Sequence, residues 1–327
     1  MTSTSLNARV VLLAGVVLGA ALAAAWAGRD ALAPWSSAGA AGEPVVREFR
    51  LDIRPADIDY GSGVWHAWTY NGTVPGPTLT ATVGDVLRVT VHNRMDVTHS
   101  FHTHLSPYAL ESDGSQLNTI TGVGAMAMIP PGGSYTYAYR ANEPGVFYYH
   151  CHSADGGKSI AQHMAQGLYG AILVTAPEEA PIRDEVVFMA ERGFDDEGDT
   201  PFYVMNGLGI PGGEKALEDL HHHGGVEAVA AQFGKTVPVI KAKVGEPLRL
   251  NVVNIGDMIH SFHTHAMTMY FVDHDGGQPV PAQVLGLLPG EADRVLVTPT
   301  RPGVWLFHCH VVSHADGGMI GVLVVEP

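Results

Sequence analysis

Residues 83–93 read VGDVLRVTVHN and residues 99–104 read HSFHTH; the same stretches recur in register as VGEPLRLNVVN at 244–254 and HSFHTH at 260–265. A second pair follows, PGVFYYHCH at 144–152 and PGVWLFHCH at 302–310. Matches that keep their register over this length are the mark of an internal repeat. The chain therefore contains two copies of one structural unit.

Each copy consists of short runs in which apolar and polar residues alternate. The runs are rich in Val, Leu, Thr and Tyr, as at 85–91 and 134–139, and Gly and Pro separate them. This pattern is typical of strands bounded by turns. Only residues 213–233 depart from it, with the composition of an inserted helix or loop. The sequence predicts an all-β chain of two antiparallel β-sandwich domains in tandem, 45–176 and 183–327.

The composition is rich in histidine and acidic overall. The 327 residues include 18 histidines but two cysteines, and 18 basic against 33 acidic residues give a formal net charge of -15. A surface of that sign repels polyanions, which excludes nucleic acid as a partner. Most of the histidines fall in four short clusters within the repeats, and this grouping indicates metal binding.

The N-terminus has the pattern of an export segment. Arg9 precedes an apolar run over residues 10–27, and Ala25-Trp26-Ala27 before Gly28 offers a small-x-small cleavage site. Residues 1–28 are predicted to be either a signal peptide or an uncleaved membrane anchor, since the run is near the shortest length that spans a bilayer. Residues 29–44, rich in Ala, Gly, Ser and Pro, are predicted to be a flexible lead. We expect a periplasmic or extracellular protein.

The His-x-His pairs place two imidazoles on one face of a strand. Side chains alternate with a period of two, so His102 and His104 project together while Thr103 points to the other face. His263 and His265 follow the same rule. Both pairs are therefore candidate ligands.

The His-Cys-His motifs place a thiol on the opposite face from two imidazoles. They are His150-Cys151-His152 and His308-Cys309-His310. His99 and His260 each stand three residues before a His-x-His pair, an odd spacing that turns them to the face of the thiol. Two metal sites can thus form back to back, joined through one residue.

The second copy completes a mononuclear site. Cys309 is followed by His314 and Met319, so that with His260 the set is two imidazoles, one thiolate and one thioether, the blue-copper set. The eight remaining cluster histidines are a purely imidazole collection, four from each copy. Soft thiolate beside neutral imidazole favours copper over zinc, because a structural zinc site would close with four ligands.

The motifs HxxHxH and HCHxxxHxxxxM, with Asn71-Gly72-Thr73-Val74-Pro75-Gly76-Pro77 early in the first copy, resemble those of the multicopper oxidase family. The resemblance covers both copies. It implies cupredoxin-like Greek-key domains, copper as cofactor, dioxygen as acceptor and a small reducing substrate. It also implies that His102 and His263 hold type 2 copper, and that the type 3 pair is held by His104, His150, His152, His265, His308 and His310. In the two-domain group that this chain resembles, the trinuclear cluster lies between domain 1 of one subunit and domain 2 of the next in a homotrimer.

The first copy departs from many two-domain members because it also carries thiol-site ligands. His99, Cys151 and His163 are present, and Leu168 stands where the axial Met would be. We interpret these residues as a second type 1 site with a noncoordinating axial leucine and a long ligand loop, 153–162. Because the axial ligand tunes this kind of site, its reduction potential is expected to be the higher of the two.

Asp113, nine residues after His104, resembles the acidic residue that relays protons to the cluster in this family. An ordinary Asp-Gly turn at Asp113-Gly114 explains the same residues equally well.

Two other functions remain as alternatives to a laccase-like oxidase. A copper nitrite reductase resembles the chain in having two cupredoxin units, but its three-histidine type 2 site would leave five of the eight imidazoles idle. A copper electron carrier needs only the thiol sites and none of the eight. Four-electron reduction of dioxygen needs several metals held together, which the eight imidazoles provide.

Overall fold

The computed structural model describes residues 44–59, 64–121, 127–192, 202–271 and 279–327. The predicted export segment, 1–28, and nearly all of the flexible lead, 29–44, lie outside the described residues. In the first half the strands are β1 Val46–Asp59, β2 Val64–Tyr70, β3 Leu79–Thr82, β4 Val86–Asn93, β5 His102–Thr103, β6 Ser134–Arg140, β7 Gly145–His150 and β8 Tyr169–Thr175. In the second half they are β9 Arg183–Arg192, β10 Phe202–Met205, β11 Val239–Lys243, β12 Leu248–Asn254, β13 His260–Thr264, β14 Met269–Phe271, β15 Val280–Ala282, β16 Leu285–Leu287, β17 Ala292–Val297, β18 Gly303–Cys309 and β19 Ile320–Glu326.

The strands form two β-sandwiches, as predicted. In the first sandwich a sheet of order β2-β1-β4-β6 faces one of order β3-β8-β7-β5. In the second a six-stranded sheet, β10-β9-β12-β17-β14-β15, faces a five-stranded sheet, β11-β19-β18-β13-β16. Each sandwich encloses its own core, which contains Cys151 in the first and Cys309 in the second. The cupredoxin-like all-β fold is therefore confirmed.

Most strand pairs are antiparallel, as expected, but each sandwich also contains two parallel pairs, so the expectation of antiparallel sandwiches was wrong for these pairs. β1 runs parallel to β4 and β3 to β8, and the second sandwich repeats this with β9 beside β12 and β11 beside β19. Alternation of apolar and polar residues records which face of a strand is buried, whereas the direction of the neighbouring strand leaves no trace in it. Strand direction follows from how the long connections cross the sandwich.

The two sandwiches pack against each other through β8, which is buried on both faces. Ile172 and Val174 belong to the first core, while Leu173 faces the other way, toward Phe188 and Val253 of the second sandwich. This double burial explains the unbroken apolar run at residues 171–174. Both sandwiches belong to one compact unit, Pro44–Pro327.

In the described ranges, four α-helices lie outside the sheets: α1 Gln116–Thr121, α2 Ile160–Ala165, α3 Gly213–Ala230 and α4 Val312–Asp316. The α3 helix is the predicted insertion, and it bends at Gly225, whose φ of 68° is outside the helical range. Its residues Leu217 and Leu220 pack beside Ile320. Among the described helices, none has the length and apolar character needed to cross a membrane.

Candidate metal centres

Each sandwich contains a buried group of one cysteine and two histidines. The first thiol site is His99, Cys151 and His163, and the second thiol site is His260, Cys309 and His314. In the first, Cys151 Sγ lies 3.5 Å from His99 Nδ1 and 3.4 Å from His163 Nδ1. In the second, the distances from Cys309 Sγ are 3.8 Å to His260 Nδ1 and 3.7 Å to His314 Nδ1. The predicted grouping of histidine with thiol is present in both copies.

Strand alternation produces these groups as the spacing predicted. Phe101 points into the core and stacks on Tyr149 at 4.8 Å between ring centroids, and His99 lies on the same side. His102, one residue further along, is turned outward and is partly exposed. The inward face therefore carries the thiol site and the outward face carries the His-x-His pair.

Leu168 and Met319 occupy matching positions beside the two thiols. The N–H of Cys151 donates to Leu168 O at 3.0 Å, and the N–H of Cys309 donates to Met319 O at 3.1 Å. Both side chains are fully buried. The structure thus supports the interpretation that Leu168 stands where the second site has a thioether.

The predicted ligand loop, 153–162, joins Cys151 to His163 and is not irregular over its whole length. Helix α2 begins inside it, because Ser159 caps the helix: its hydroxyl accepts from Gln162 N while the Gln162 side chain accepts from Ser159 N. His163 is carried by this helix, and its Nε2–H donates to Asp155 O at 3.0 Å. That bond leaves the lone pair of Nδ1 directed toward Cys151.

Burial keeps the first thiol site uncharged. Burial, with a smaller contribution from His163, lowers the pKa of His99 to about 3. Burial raises the pKa of Cys151 to about 11. A metal that binds here meets two neutral imidazoles and must displace the thiol proton, which couples metal affinity to pH.

The first histidine cluster comprises His102, His104, His150 and His152. Pairing of β5 with β7 sets His102 opposite His150, with ring centroids 5.2 Å apart. His152 lies 5.0 Å from His102, and His104 lies 5.6 Å from it. Burial lowers the pKa of His150 to about 3 and that of His104 to about 4. All four predicted ligands are brought together.

The second histidine cluster comprises His263, His265, His308 and His310. The rings of the other three lie 5.2 to 5.3 Å from the ring of His263. His265 Nε2 and His308 Nε2 are 3.2 Å apart, so two ring nitrogens converge on one point. Both clusters repeat the same arrangement on equivalent strands.

Hydrogen bonds from Nδ1 orient the cluster imidazoles. The Nδ1–H groups of His102, His150, His263 and His308 donate to the carbonyls of Asp113, Cys151, Gln283 and Cys309 at 2.6, 3.0, 2.6 and 2.8 Å respectively. Each bond fixes the tautomer with the lone pair on Nε2, the usual support for a metal-binding histidine.

The donor atoms fit copper. In each thiol site, and among three histidines of each cluster, ligand atoms lie within 4.8 Å of one another. The fourth rings, His152 and His310, have centroids 5.0 Å from His102 and 5.2 Å from His263. Two imidazoles with a thiolate suit a blue-copper ion, and the imidazole clusters suit further copper. Within the described residues, no such group mixes donors from the two sandwiches.

Asp113 lies beside the first histidine cluster, while its catalytic role stays a prediction. Its carbonyl accepts from His102, and its carboxylate Oδ1 is 3.8 Å from His102 Nδ1 and accepts from the Tyr108 hydroxyl at 3.3 Å. The Asp-Gly turn is also real, since Gly114 has a φ of +67° and a Cβ there would lie 2.2 Å from Phe101 O. The turn is what sets Asp113 against the cluster.

Comparison with known proteins agrees with these groups. Two family models described as multicopper oxidase match residues 53–179 and 215–327. This chain belongs to the multicopper oxidase family. Copper as its cofactor agrees with that family and with the groups of histidine and cysteine described above.

The relatives of this chain include proteins named as oxidases and proteins named as reductases. Multicopper oxidase MmcO of Mycobacterium tuberculosis is 30% identical over 276 residues, 77% of this chain and 51% of that protein. A protein of Kuenenia stuttgartiensis, named as a probable nitrite reductase-hydroxylamine oxidoreductase fusion protein, is 28% identical over 296 residues, 84% of this chain and 31% of that protein. The chain thus spans about half or less of these two relatives. A crystal structure of a multicopper oxidase aligns with a TM-score of 0.67 and 28% identity over 86% of this chain and 89% of that one.

Sequence reasoning missed several residues that support the ligands of this multicopper oxidase. Tyr148 bridges the sandwiches, with its hydroxyl 3.0 Å from His104 Nδ1 and donating to Gly290 O at 3.0 Å. Tyr203 stacks on His314 at 4.2 Å. The one signal for Tyr148 was its place two residues before a ligand, on the face shared with His150.

Among the described residues, the histidines that the motifs leave unassigned stay outside both clusters; His274 lies outside the described residues. His66 is exposed and pairs with Asp57 at 2.6 Å. His221, His222 and His223 are exposed on α3, the predicted insertion.

Proposed function

We propose that the chain is a blue, laccase-like multicopper oxidase, with type 1 copper in both thiol sites and the type 2 and type 3 coppers shared by the two histidine clusters. The observation that carries this proposal is the repetition of a four-imidazole cluster, on both sandwiches, directly behind a thiol site. His150-Cys151-His152 and His308-Cys309-His310 each join the two kinds of site through adjacent residues. Thiolate–imidazole copper exchanges single electrons, and an imidazole-bound copper cluster reduces dioxygen to water.

The protein itself orients the cluster imidazoles and keeps water away from the first thiol site. Carbonyl acceptors hold the cluster imidazoles with Nε2 outward, and burial keeps the thiol site of Cys151 away from water. His163 is completely buried, whereas His314 is 7% exposed, so the second thiol site is the better place for an external reductant to deliver electrons. Asp113 is positioned to pass protons at the edge of the first cluster.

We also propose that the trinuclear site is completed between chains. Each cluster offers four imidazoles, and the exposure of His104, His265 and His310 leaves room for a partner surface. A closed ring, in which the first sandwich of one subunit meets the second sandwich of its neighbour, makes every site equivalent. A homotrimer fits this arrangement, as the resemblance implied. Export through residues 1–28 and a small reducing substrate remain part of the proposal.

Two measurements test the proposed function together: the number of copper ions per chain and the consumption of dioxygen as electron acceptor. The full oxidase should hold about five copper ions per chain, two at thiol sites and three per shared cluster. Dioxygen uptake with a panel of phenols and of cuprous, ferrous and manganous ions should consume four electrons per dioxygen without releasing peroxide. About two copper ions per chain and no turnover would identify an electron carrier instead.

Nitrite reduction is the second candidate, because the Kuenenia relative is named for it and the first sandwich carries a thiol site. The same preparations should therefore be supplied with nitrite under argon. Sustained nitric oxide formation with about three copper ions per chain would favour the reductase and contradict the oxidase.

Leu168 gives a separate prediction for the first thiol site. Redox titration should resolve two blue centres, and Cys151→Ser should abolish the one of higher potential. Leu168→Met should lower that potential, because an axial thioether stabilises cupric ion relative to a noncoordinating leucine. The volume-conserving Met319→Leu is the matched variant and should raise the potential of the other centre. A single blue centre in fully loaded protein would contradict the assignment.

A further inference from the structure

Glu191, on β9, is a buried carboxylate held against a ligand of the second thiol site. Its Oε1 lies 2.8 Å from His260 Nε2, with side-chain exposures of 3% and 0%. The approach has the length of an ion pair but lacks the alignment of a hydrogen bond. The carboxylate therefore stands beside the far nitrogen of a candidate ligand histidine.

The carboxylate is fixed in place by two backbone donors. The N–H of Asp257 donates to Glu191 Oε2 at 2.9 Å, and the N–H of Met258 donates to Oε1 at 3.1 Å. Donors of this kind stabilise the charged form of a buried carboxylate. The turn that follows β12 thus holds a negative charge beside His260, on the side of the ring away from Cys309.

In the described part of the first sandwich, no carboxylate stands at the position equivalent to Glu191; Asp155, which acts electrostatically on His99 and His163, is partly exposed. Pairing places Met189 beside Asn254 in the second sandwich and Ile53 beside Asn93 in the first, so Pro55 is the residue that matches Glu191. The proline cannot carry charge. His99 Nε2 is buried and, among the described residues, has no hydrogen-bond partner.

We propose that Glu191 is a positioning residue that lowers the reduction potential of copper in the second thiol site relative to the first. This inference rests on the proposed type 1 assignment of that site. The negative charge of the carboxylate, held beside the far nitrogen of the His260 imidazole, favours the more positive cupric state. Burial limits screening of that charge by salt.

Glu191 and the axial residues act in the same direction. The second site has a carboxylate and the thioether of Met319, and the first site has Pro55 and Leu168. Both differences place the first thiol site at the higher potential. The carboxylate and the axial residue are therefore two separate reasons why the reduction potentials of the two thiol sites should differ, although both sites have the same cysteine and histidine ligands.

The test measures a potential and uses Cys151→Ser as the parent, so that one blue centre remains. Adding Glu191→Gln should raise the reduction potential of that centre. In equilibrium with a one-electron mediator, the ratio of reduced to oxidised copper should rise about tenfold, which corresponds to about 59 mV. In the Cys309→Ser parent, the same change should leave the first centre unshifted. Glu185→Gln is the matched control, because Glu185 lies on the same strand but pairs with the surface residue Arg183 at 2.7 Å.

Glu191→Asp separates charge from packing, and it serves as the second variant if Glu191→Gln does not load copper. It keeps the charge, so its potential should stay nearer to the parent than to the glutamine variant. Equal potentials for the parent and Glu191→Gln, or an aspartate variant shifted as far as the glutamine one, would overturn the proposal. Absence of a blue band in the Cys151→Ser parent would instead refute the type 1 assignment itself, and the inference with it.

Discussion

Replacing Cys309 with serine is expected to remove the blue absorption that survives Cys151→Ser and to lower oxidase activity at least about a hundredfold, since even outer-shell losses at metal sites cost 10–100-fold. The colour of such a site comes from its thiolate, which a serine hydroxyl does not replace. Cys309 is fully buried between His260 and His314, so no other thiol can substitute.

The cluster coppers should stay bound in the Cys309→Ser variant. In the second sandwich their proposed ligands form a group separate from the thiol site, with His308 on β18 and His263 on β13. Copper analysis should show the loss of one ion per chain, with the type 2 signal retained in electron paramagnetic resonance. An unchanged blue spectrum in the Cys151→Ser, Cys309→Ser double variant would contradict the assignment.

Cys151→Ser is the matched control for the thiol. It removes the same atom from the equivalent position of the first sandwich, and we expect a smaller loss of activity because His163 is shielded from solvent. An unpartnered hydroxyl at either buried site costs about 1–3 kcal/mol, so thermal unfolding should accompany each measurement. Equal activity losses in the two variants would show that electrons enter through both thiol sites.

Mixed oligomers are expected to regain activity when they combine two inactive variant chains, each of which keeps intact the histidine cluster that is damaged in the other. One chain carries His104→Ala and His152→Ala, and the other carries His265→Ala and His310→Ala. Each alone should be inactive, because half of every cluster is damaged. In co-folded equal mixtures, about a quarter of the interfaces in a closed ring pair two intact halves, so about a quarter of the wild-type cluster activity should return.

The control for histidine loss is the exposed group on α3. Replacing His221, His222 and His223 with alanine removes three imidazoles outside both clusters and should leave copper content and activity unchanged. Native mass spectrometry establishes whether the mixtures contain mixed oligomers. No recovery in proven mixtures would place the trinuclear site within a single chain.

The sequence by itself determined the duplicated fold and which ligands belong together. The reason is local geometry: alternation along a strand decides which side chains share a face, so His99 joins Cys151 and His102 joins His150 whatever the rest of the sandwich does. The axial position of Leu168 followed from comparing one copy with the other. These inferences needed no knowledge of how the sheets pack.

Only the tertiary structure decided the surroundings of the ligands and the relation between the copies. Glu191 meets His260, and Tyr148 joins His104 to Gly290, through contacts between residues far apart in the chain. An acidic residue at the end of an apolar strand is a weak sign of such a contact. Whether it reaches a ligand depends on the parallel pairing of β9 with β12, and strand direction leaves no mark on an alternating pattern.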